Sequence, residues 1–222
     1  MIKVDCEQGT DEWFAAKVGV ASASGFDRLV TASKKPSSQA NDYLYELTAE
    51  WVTGEKKFIR PSYWMERGVE MEPEARDAYE FIMGVDVEQI GFIYKDKSKL
   101  IGCSPDGLIK RHKNANGETR QAKGLEIKCP APITHVSYLL QGVCPKAYMA
   151  QVQGSMWITG LKQWEFMSYH PEYESFIIRV DADESFQKAL DSIIPGFVEQ
   201  LRESRELPKV IELRGDRLER AA

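Results

Sequence analysis

The hydrophobic repeat of this chain changes at Gly84, and this change restricts the possible folds more than any other feature. Before Gly84, apolar residues recur at helical spacing over residues 41–52 and over residues 61–83, where Pro73 either kinks or divides the helix. After Gly84 the pattern is typical of short strands joined by turns. The predicted strands are residues 85–89, 90–95 and 99–102, with residues 96–98 as the turn between the last two.

Further periodic segments lie on both sides of this group. A short helix is predicted over residues 11–17, and Ser24 either caps a helix that runs to Val30 or approaches a ligand closely. Residues 106–109 continue the sheet, and residues 110–123 are predicted to be a polar loop. The later predicted elements are helices at 134–140, 145–158 and 184–204 and strands at 163–169 and 175–180.

This order of elements predicts the α/β (α+β mixed) class, with one mixed central sheet flanked by helices. The chain has 222 residues, which is long enough to bury a core and to form a single domain over residues 1–222. The last residues, 214–222, are strongly charged and are predicted to form a loose tail.

Composition disfavours several functional classes. The sequence has no run of about 18 apolar residues and no apolar signal segment, which predicts a cytoplasmic protein with no membrane partner. A net charge of −5 is not typical of a protein that coats DNA, although basic clusters could still contact phosphates. The clusters are residues 34–35, 56–60, 95–99 and 110–113, and a solvated surface is the alternative for each.

The four cysteines occur singly, which favours buried thiols. An iron–sulfur cluster is the alternative. It is disfavoured because Cys103 and Cys129 lie inside two segments, residues 103–107 and 125–129, that are needed for other chemistry.

These two segments carry the strongest candidate for catalysis. Asp106 lies at a Pro/Gly corner. Glu126 and Lys128 lie two positions apart on a predicted strand, where side chains alternate between faces, so they share one face. A hairpin can close the separation between the two segments.

Two carboxylates and an ammonium group at a strand end can hold a divalent cation and direct a water onto a phosphodiester. Asp106, Glu126 and the Ile127 carbonyl are candidate ligands for Mg²⁺. Lys128 is expected to position or deprotonate the water, with its pKa lowered by nearby metal charge. A chance match is an equal alternative for a pattern this short.

Three residues outside these segments are candidates to complete the site. Glu72 on the helix at 61–83 is a third acid, although a surface ion pair with Arg76 is the simpler interpretation. Tyr148 and Gln151 lie on a later helix, from which they could hold the water or a phosphate. Other chemistries are disfavoured, because the sequence has three unpaired histidines, no nucleotide-binding Gly-Lys loop and no Gly-x-Ser-x-Gly turn.

Residues 104–107 and 125–130 resemble the core of the bacteriophage lambda exonuclease family, or YqaJ-type viral recombinases, within the PD-(D/E)XK nuclease superfamily. The similarity extends over nearly the whole chain. It includes Trp13 and Ala23-Ser24 near the N-terminus, residues 68–72 with Ala75-Arg76, and residues 147–153 with Ser155-Met156-Trp157.

The resemblance implies an Mg²⁺-dependent enzyme that degrades one strand of duplex DNA from its 5′ end. Two ions per active site are implied, and Mn²⁺ can substitute. Members release mononucleotides, leave a 3′ single-stranded overhang, and form ring-shaped homotrimers. They act on double-stranded DNA ends together with a phage-type single-strand annealing protein, which implies a bacterial or prophage-encoded protein.

The resemblance also assigns roles to residues. It makes Lys128 the catalytic lysine and places Glu72 near the second metal, with Tyr148 and Gln151 on the active-site helix. Candidate contacts to DNA and its 5′ phosphate are Trp13, Lys17, Ser22, Ser24, Ser104 and Met65. Family members carry arginine where this chain has Lys17, which keeps the charge but loses bidentate hydrogen bonding. Asp96 matches a family carboxylate, and a turn residue is the alternative. Trp64-Met65 lies where an apolar wedge could part the terminal base pair of the DNA, and packing in the core is the alternative.

Two other functions are compatible with the same motifs. One is an endonuclease of the same superfamily. The other is a non-catalytic module that binds DNA ends, which would normally have lost an acid or the lysine.

Overall fold

The computed structural model describes residues 1–57, 60, 62–113 and 116–206. The predicted tail at 214–222 lies outside the described residues. In the part of the chain that is described, no helix combines the length and apolar character needed to cross a membrane. The helices are α1 (Asp11–Lys17), α2 (Ala40–Thr53), α3 (Tyr63–Met83), α4 (Pro132–Gln141), α5 (Lys146–Thr159) and α6 (Glu184–Ser204), with a 3₁₀ helix at Ala23–Arg28.

Local signals in the sequence account for the ends of the longest N-terminal helix. The Ser62 hydroxyl accepts a hydrogen bond from the Met65 N–H at the start of α3, which satisfies a free donor of the first turn. Gly84 ends the helix with φ of 63°, a left-handed conformation that favours glycine. Pro73 lies inside α3 without dividing it, so the alternative of two helices is wrong.

Among the described residues, the strands form two four-stranded sheets and one separate hairpin. The first sheet has the order β1-β3-β4-β2 and the second has the order β10-β9-β8-β5. The α/β class with flanking helices is confirmed, but the predicted single central sheet is two sheets. The strands are β1 (Ile2–Val4), β2 (Ala21–Ser22), β3 (Phe92–Tyr94), β4 (Ile101–Cys103), β5 (Gly107–Ile109), β6 (His112–Lys113), β7 (Thr119–Arg120), β8 (Lys123–Lys128), β9 (Gln163–Ser168) and β10 (Phe176–Asp181).

Three local predictions were wrong. Residues 85–89 do not form a strand, because only Glu88 pairs, in an isolated bridge to Leu108. The polar segment 110–123 contains the β6–β7 hairpin and the first residue of β8 rather than a loop alone. Ser24 does not cap a helix, since it lies inside the 3₁₀ helix that begins at Ala23.

Strand β8 is one of the two inner strands of the second sheet. It pairs antiparallel with β5, with Gly107 opposite Leu125, and parallel with β9. Gly124 allows this packing, because a Cβ atom there would lie 2.3 Å from the ring of Trp164. The main core lies between the first sheet, α5, α6 and the 3₁₀ helix, while α3 covers one face of the second sheet.

Candidate active site

Side chains along β8 alternate between its two faces, as the sequence predicts, and this separates the candidate catalytic residues from the core residues. Leu125, Ile127 and Cys129 are buried in the cluster under α3. Glu126 and Lys128 share the other face, where the Lys128 ammonium forms an ion pair with a Glu126 carboxylate that is only 1% exposed. The strand thus presents one acid and one lysine side by side.

Asp106 is held against the same strand by its position just before β5. Its backbone N–H donates to the Leu125 carbonyl at 3.1 Å, and its carboxylate accepts a hydrogen bond from the Ile127 N–H at 2.6 Å. The predicted hairpin closure is therefore confirmed, and it brings the second acid to the end of β8 that carries Glu126 and Lys128.

Burial and the mutual attraction of these groups set their pKa values. It raises the pKa of Asp106, although Lys128 opposes the shift. It also raises the pKa of Glu126 to about 7, against the attraction of Lys128 and with a further increase from Asp106. Burial would lower the pKa of Lys128, but the Glu126 and Asp106 carboxylates outweigh that effect and raise it. In the metal-free protein the lysine is therefore held as an ammonium ion, opposite to the lowered pKa expected beside bound metal.

Helix α5 contributes the two side chains that the sequence assigns to it. The Gln151 amide donates to the Glu126 carboxylate at 2.6 Å. The Tyr148 ring lies 5.4 Å from the Lys128 ammonium and stacks on Phe166 at 5.2 Å between ring centroids. Tyr138 on α4 was missed by the sequence analysis; its pKa is raised to about 12 by burial and by Tyr148 beside it.

Helix α3 contributes Glu72, and its partner Arg76 reaches further than the sequence suggests. Arg76 contacts the Glu72 carboxylate at 2.5 Å and donates from Nε to the Asp106 carbonyl at 3.3 Å. The predicted ion pair is present, and with Glu72 27% and Arg76 11% exposed it is partly buried. Burial and the nearby charge of Asp106 raise the pKa of Glu72, so the two carboxylates lie within electrostatic range of each other.

The donor chemistry of this site fits a hard divalent cation. Asp106, Glu126 and Glu72 offer carboxylate oxygens, and burial raises the pKa of all three, so each is costly to ionise without a nearby positive charge. Within the described ranges, no three His, Cys, Asp or Glu side chains are gathered closely enough to enclose a metal ion. The carboxylate oxygens of Asp106, Glu126 and Glu72 are hard donors of the kind that Mg²⁺ prefers.

A second constellation of side chains, formed by Trp13, Lys17 and Ser104, comes from segments that precede Asp106 in the sequence. The Trp13 indole N–H donates to the Ser104 hydroxyl at 2.9 Å and to the Gly91 carbonyl at 3.0 Å. The Lys17 ammonium lies 3.5 Å from the centroid of the Trp13 ring. The structure thus joins Trp13 and Lys17 of α1 to Ser104, which is distant in sequence but has the same predicted role.

The electrostatics of Lys17 connect this constellation to the acids. Burial lowers the pKa of Lys17 to about 7, and Lys56 lowers it further, while Asp106 and Glu50 partly offset the shift. Lys56 is held nearby by the buried Glu50 carboxylate, which also accepts the Gly19 N–H. The sequence marked Lys56 only as part of a basic cluster and did not place it beside Lys17.

The two predicted serines of the N-terminal segment are neighbours. The Ser22 and Ser24 hydroxyls lie 2.9 Å apart. Ser22 pairs with Gly102 across β2 and β4, two residues before Ser104. The first sheet therefore directs both hydroxyl-bearing segments toward the same end of the molecule.

Comparison with known proteins shows which family this chain belongs to. The family model of the YqaJ-like viral recombinase domain matches residues 12–162, which contain both constellations. The chain belongs to the YqaJ-like viral recombinase family. An uncharacterized protein of Acanthamoeba polyphaga mimivirus is 30% identical over 122 residues, or 53% of this chain, and the match spans only 21% of that longer relative.

Solved structures share the fold of this YqaJ-family chain over most of its length. The alkaline exonuclease LHK-Exo from Laribacter hongkongensis is 28% identical with a TM-score of 0.76, covering 94% of this chain and 100% of LHK-Exo. A complex of LHK-Exo with dAMP gives a TM-score of 0.74 at 29% identity, with the same coverage. A phage-related exonuclease from Haemophilus somnus 129PT, 12% identical over 84% of this chain and 93% of that chain, shares the fold with a TM-score of 0.56.

The structure also decides between the alternatives for three further residues of the YqaJ-family pattern. Trp64 and Met65 at the start of α3 are 45% and 54% exposed, so the alternative of core packing is wrong. Asp96 lies in the β3–β4 turn, where its carboxylate accepts the Ser98 N–H at 2.8 Å. The structure therefore gives Asp96 a role in the turn.

Proposed function

We propose that this protein is an Mg²⁺-dependent 5′–3′ exonuclease of double-stranded DNA, which releases mononucleotides and leaves a 3′ single-stranded overhang. The observation that carries the proposal is the convergence of Asp106, Glu126 and Lys128 at one end of β8, with Gln151 from α5 on the same carboxylate. The alkaline exonuclease activity in the name of LHK-Exo, which covers nearly all of this chain, supports it.

Metal binding would use the oxygen donors of the site. Asp106, Glu126 and the Ile127 carbonyl would hold one Mg²⁺ ion, with Glu72 near a second, and Mn²⁺ would satisfy the same ligands. Such ions neutralise charge on the phosphoryl oxygens and activate water. The Gln151 amide fixes the direction of the Glu126 carboxylate, and the Ile127 N–H fixes that of Asp106.

Lys128 acts at the attacking water. Because the acids keep its Nζ protonated in the metal-free protein, its N–H groups can orient the water and stabilise negative charge that develops on the phosphate. Its pairing with Glu126 and its position beside the Tyr148 ring limit its rotamers, so the ammonium stays at the reaction centre.

Arg76 is a positioning residue of this site. Replacing it, as Arg76→Gln, should raise the Mg²⁺ concentration needed for half-maximal hydrolysis and lower the single-turnover rate, together by about 10- to 100-fold, because Glu72 and the Asp106 backbone lose their anchor. Arg202→Gln removes the arginine of an exposed helical ion pair and serves as the control. Equal Mg²⁺ titrations for the two variants would contradict the role, and thermal melting of both checks their folding.

Recognition of the DNA end would use the second constellation. A terminal 5′ phosphate carries more charge than an internal phosphodiester, and Lys17, Ser104, Ser22 and Ser24 offer an ammonium and three hydroxyls. Trp13 holds Lys17 and Ser104 in place through its ring face and its N–H. Binding of the 5′ end here would set the polarity of degradation.

The lowered pKa of Lys17 predicts a pH dependence of this recognition. Since Lys17 is charged below about pH 7 and loses its charge above, the preference for 5′-phosphate over 5′-hydroxyl ends should fall by about tenfold as pH rises from near 6.5 to near 9. The ratio of kcat/KM for the two substrates measures it. In Lys17→Arg the guanidinium stays charged, so its ratio should stay flat; a fall of equal size in that variant would contradict the assignment.

The assembly and partners of the family extend this proposal. A homotrimer would enclose the duplex and make degradation processive, and the exposed Met65 would part the terminal base pair as an apolar wedge. A phage-type single-strand annealing protein would receive the overhang for recombination. The protein would act in the cytoplasm and would be encoded by a bacterium or a prophage.

Covalently closed circular DNA distinguishes the exonuclease from a superfamily endonuclease. With Mg²⁺, the proposal expects complete digestion of a linear duplex, an intact closed circle, and no reaction after chelation of the metal. Nicking of the circle would favour an endonuclease. Tight binding of ends with no hydrolysis would favour the non-catalytic module, which the presence of both acids and the lysine opposes.

A further inference from the structure

A cleft of about 470 Å³ lies away from the candidate active site, at the other end of β8. Its polar lining comes from the second sheet and the β6–β7 hairpin. Cationic and amide side chains predominate in this lining. They are His112, Arg120, Gln121, Lys123, Gln163 and Arg179.

The register of β8 separates this cleft from the catalytic residues. Lys123 and Lys128 are the first and last residues of the strand. Because side chains alternate along a strand and these two are an odd number of positions apart, they project from opposite faces of the sheet. At about 3.3 Å per residue, their Cα atoms are roughly 16 Å apart. Met83, the last residue of α3, closes the cleft on the helical side. A phosphate group bound in this cleft would therefore not contact Glu126 or Lys128.

A buried network supplies the floor of the cleft. The Lys123 ammonium and the Tyr79 hydroxyl each contact one oxygen of the Glu165 carboxylate. Both acid oxygens are thus occupied, and the charge of Glu165 is balanced by Lys123. Among the described residues, Glu165 is the one acceptor within hydrogen-bonding distance of the Lys123 ammonium, whose other N–H groups remain for a ligand in the cleft.

The rim carries two arginines in weak ion pairs. Arg120 lies 2.9 Å from Glu118, and Arg179 lies 3.4 Å from Asp181, with all four side chains more than half exposed. Exposed pairs of this kind contribute little, so a phosphate can replace the carboxylate at small cost and gain bidentate hydrogen bonds. The lining thus combines one buried ammonium with two exchangeable guanidinium groups.

We propose that this cleft is a second nucleic-acid phosphate site, which binds outside the catalytic pocket. The inference rests on the proposed function, since it supposes that the chain handles DNA. His112 is the one ring among the described lining residues, so the cleft would contact phosphates rather than stack bases. Two ligands carry a phosphate that fits this cleft, namely the backbone of a single DNA strand and a released mononucleotide.

The test is binding of a short deoxythymidine oligomer and of dAMP to the full chain in EDTA, where hydrolysis is absent. In Arg120→Gln/Arg179→Gln, oligomer affinity at about 50 mM salt should fall several-fold, and the log–log salt slope should fall by about 1.4, or 0.7 for each lost phosphate contact. The control Lys188→Gln/Arg202→Gln removes the same charge from exposed pairs on α6 and should leave the slope unchanged.

The two ligands identify the source of the phosphate. Weaker oligomer binding with unchanged dAMP binding assigns the cleft to a strand backbone, while loss of dAMP binding assigns it to the mononucleotide. Equal behaviour of the double variant and its control with both ligands would overturn the proposal. Hydrolysis of short blunt duplexes by the double variant should match that of the wild type; absent hydrolysis in the wild type would instead reject the proposed function.

Discussion

Replacing Lys128, as Lys128→Ala, is expected to lower single-turnover hydrolysis by about 10²- to 10⁴-fold while DNA affinity changes little. The ammonium lies between the Glu126 carboxylate and the Tyr148 ring, where it can orient the attacking water. The proposed contacts to the DNA end, Lys17 and Ser104, belong to another constellation that this change leaves intact. Rapid-quench assays with 5′-labelled duplex give the rate, and anisotropy in EDTA gives the affinity.

Lys188→Ala is the matched control for this prediction. It also removes a lysine from an ion pair, but from one on α6 whose side chains are 72% and 83% exposed. Wild-type turnover is expected for it. If Lys128→Ala hydrolyses DNA as fast as Lys188→Ala, then Lys128 has no catalytic role. If Lys128→Ala loses affinity and rate together, the lysine acts in substrate binding instead.

The second large effect concerns stability. Lys123→Met should lower the free energy of unfolding by about 3–5 kcal/mol, because Glu165 would remain buried with a charge that nothing balances. Glu165 is only 5% exposed, and the other group that contacts its carboxylate, the Tyr79 hydroxyl, has no positive charge. Urea unfolding monitored by tryptophan fluorescence measures the change.

A double-mutant cycle separates this explanation from loss of packing. In Lys123→Met/Glu165→Leu both charges are replaced by apolar groups, so most of the lost stability should return. Lys188→Met breaks an exposed pair and should cost less than about 1 kcal/mol. A double variant as unstable as Lys123→Met would show that the cost comes from packing of the lysine stem and not from the unpaired acid.

Local pattern was sufficient for much of the fold and for the centre of the site. Alternation along β8 is enough to place Glu126 and Lys128 on one face, and the corner before β5 is enough to bring Asp106 to them. The capped helices α3 and α5 follow from similar short-range signals, and they carry Glu72 and Gln151. Each inference depends on neighbours within a few positions or on one hairpin closure.

Other features depend on contacts between distant segments. Arg76 reaches Asp106 across 30 positions, and Trp13 reaches Ser104 across 91, which no local period specifies. The segment 110–123 was predicted to be a loop because it is polar, yet it ends in Lys123, which is buried against Glu165. A polar sequence cannot distinguish a solvated lysine from one whose partner lies on another strand.

The central claim is that this site removes nucleotides from the 5′ end of a duplex. The most direct measurement uses a linear, 5′-phosphorylated duplex with distinct labels at the 5′ and 3′ ends of one strand, followed through a time course with Mg²⁺. The account predicts that the 5′ label appears at once in mononucleotides while the 3′ label stays in a long strand. Early release of the 3′ label, or of internal fragments that carry the 5′ label, would contradict it.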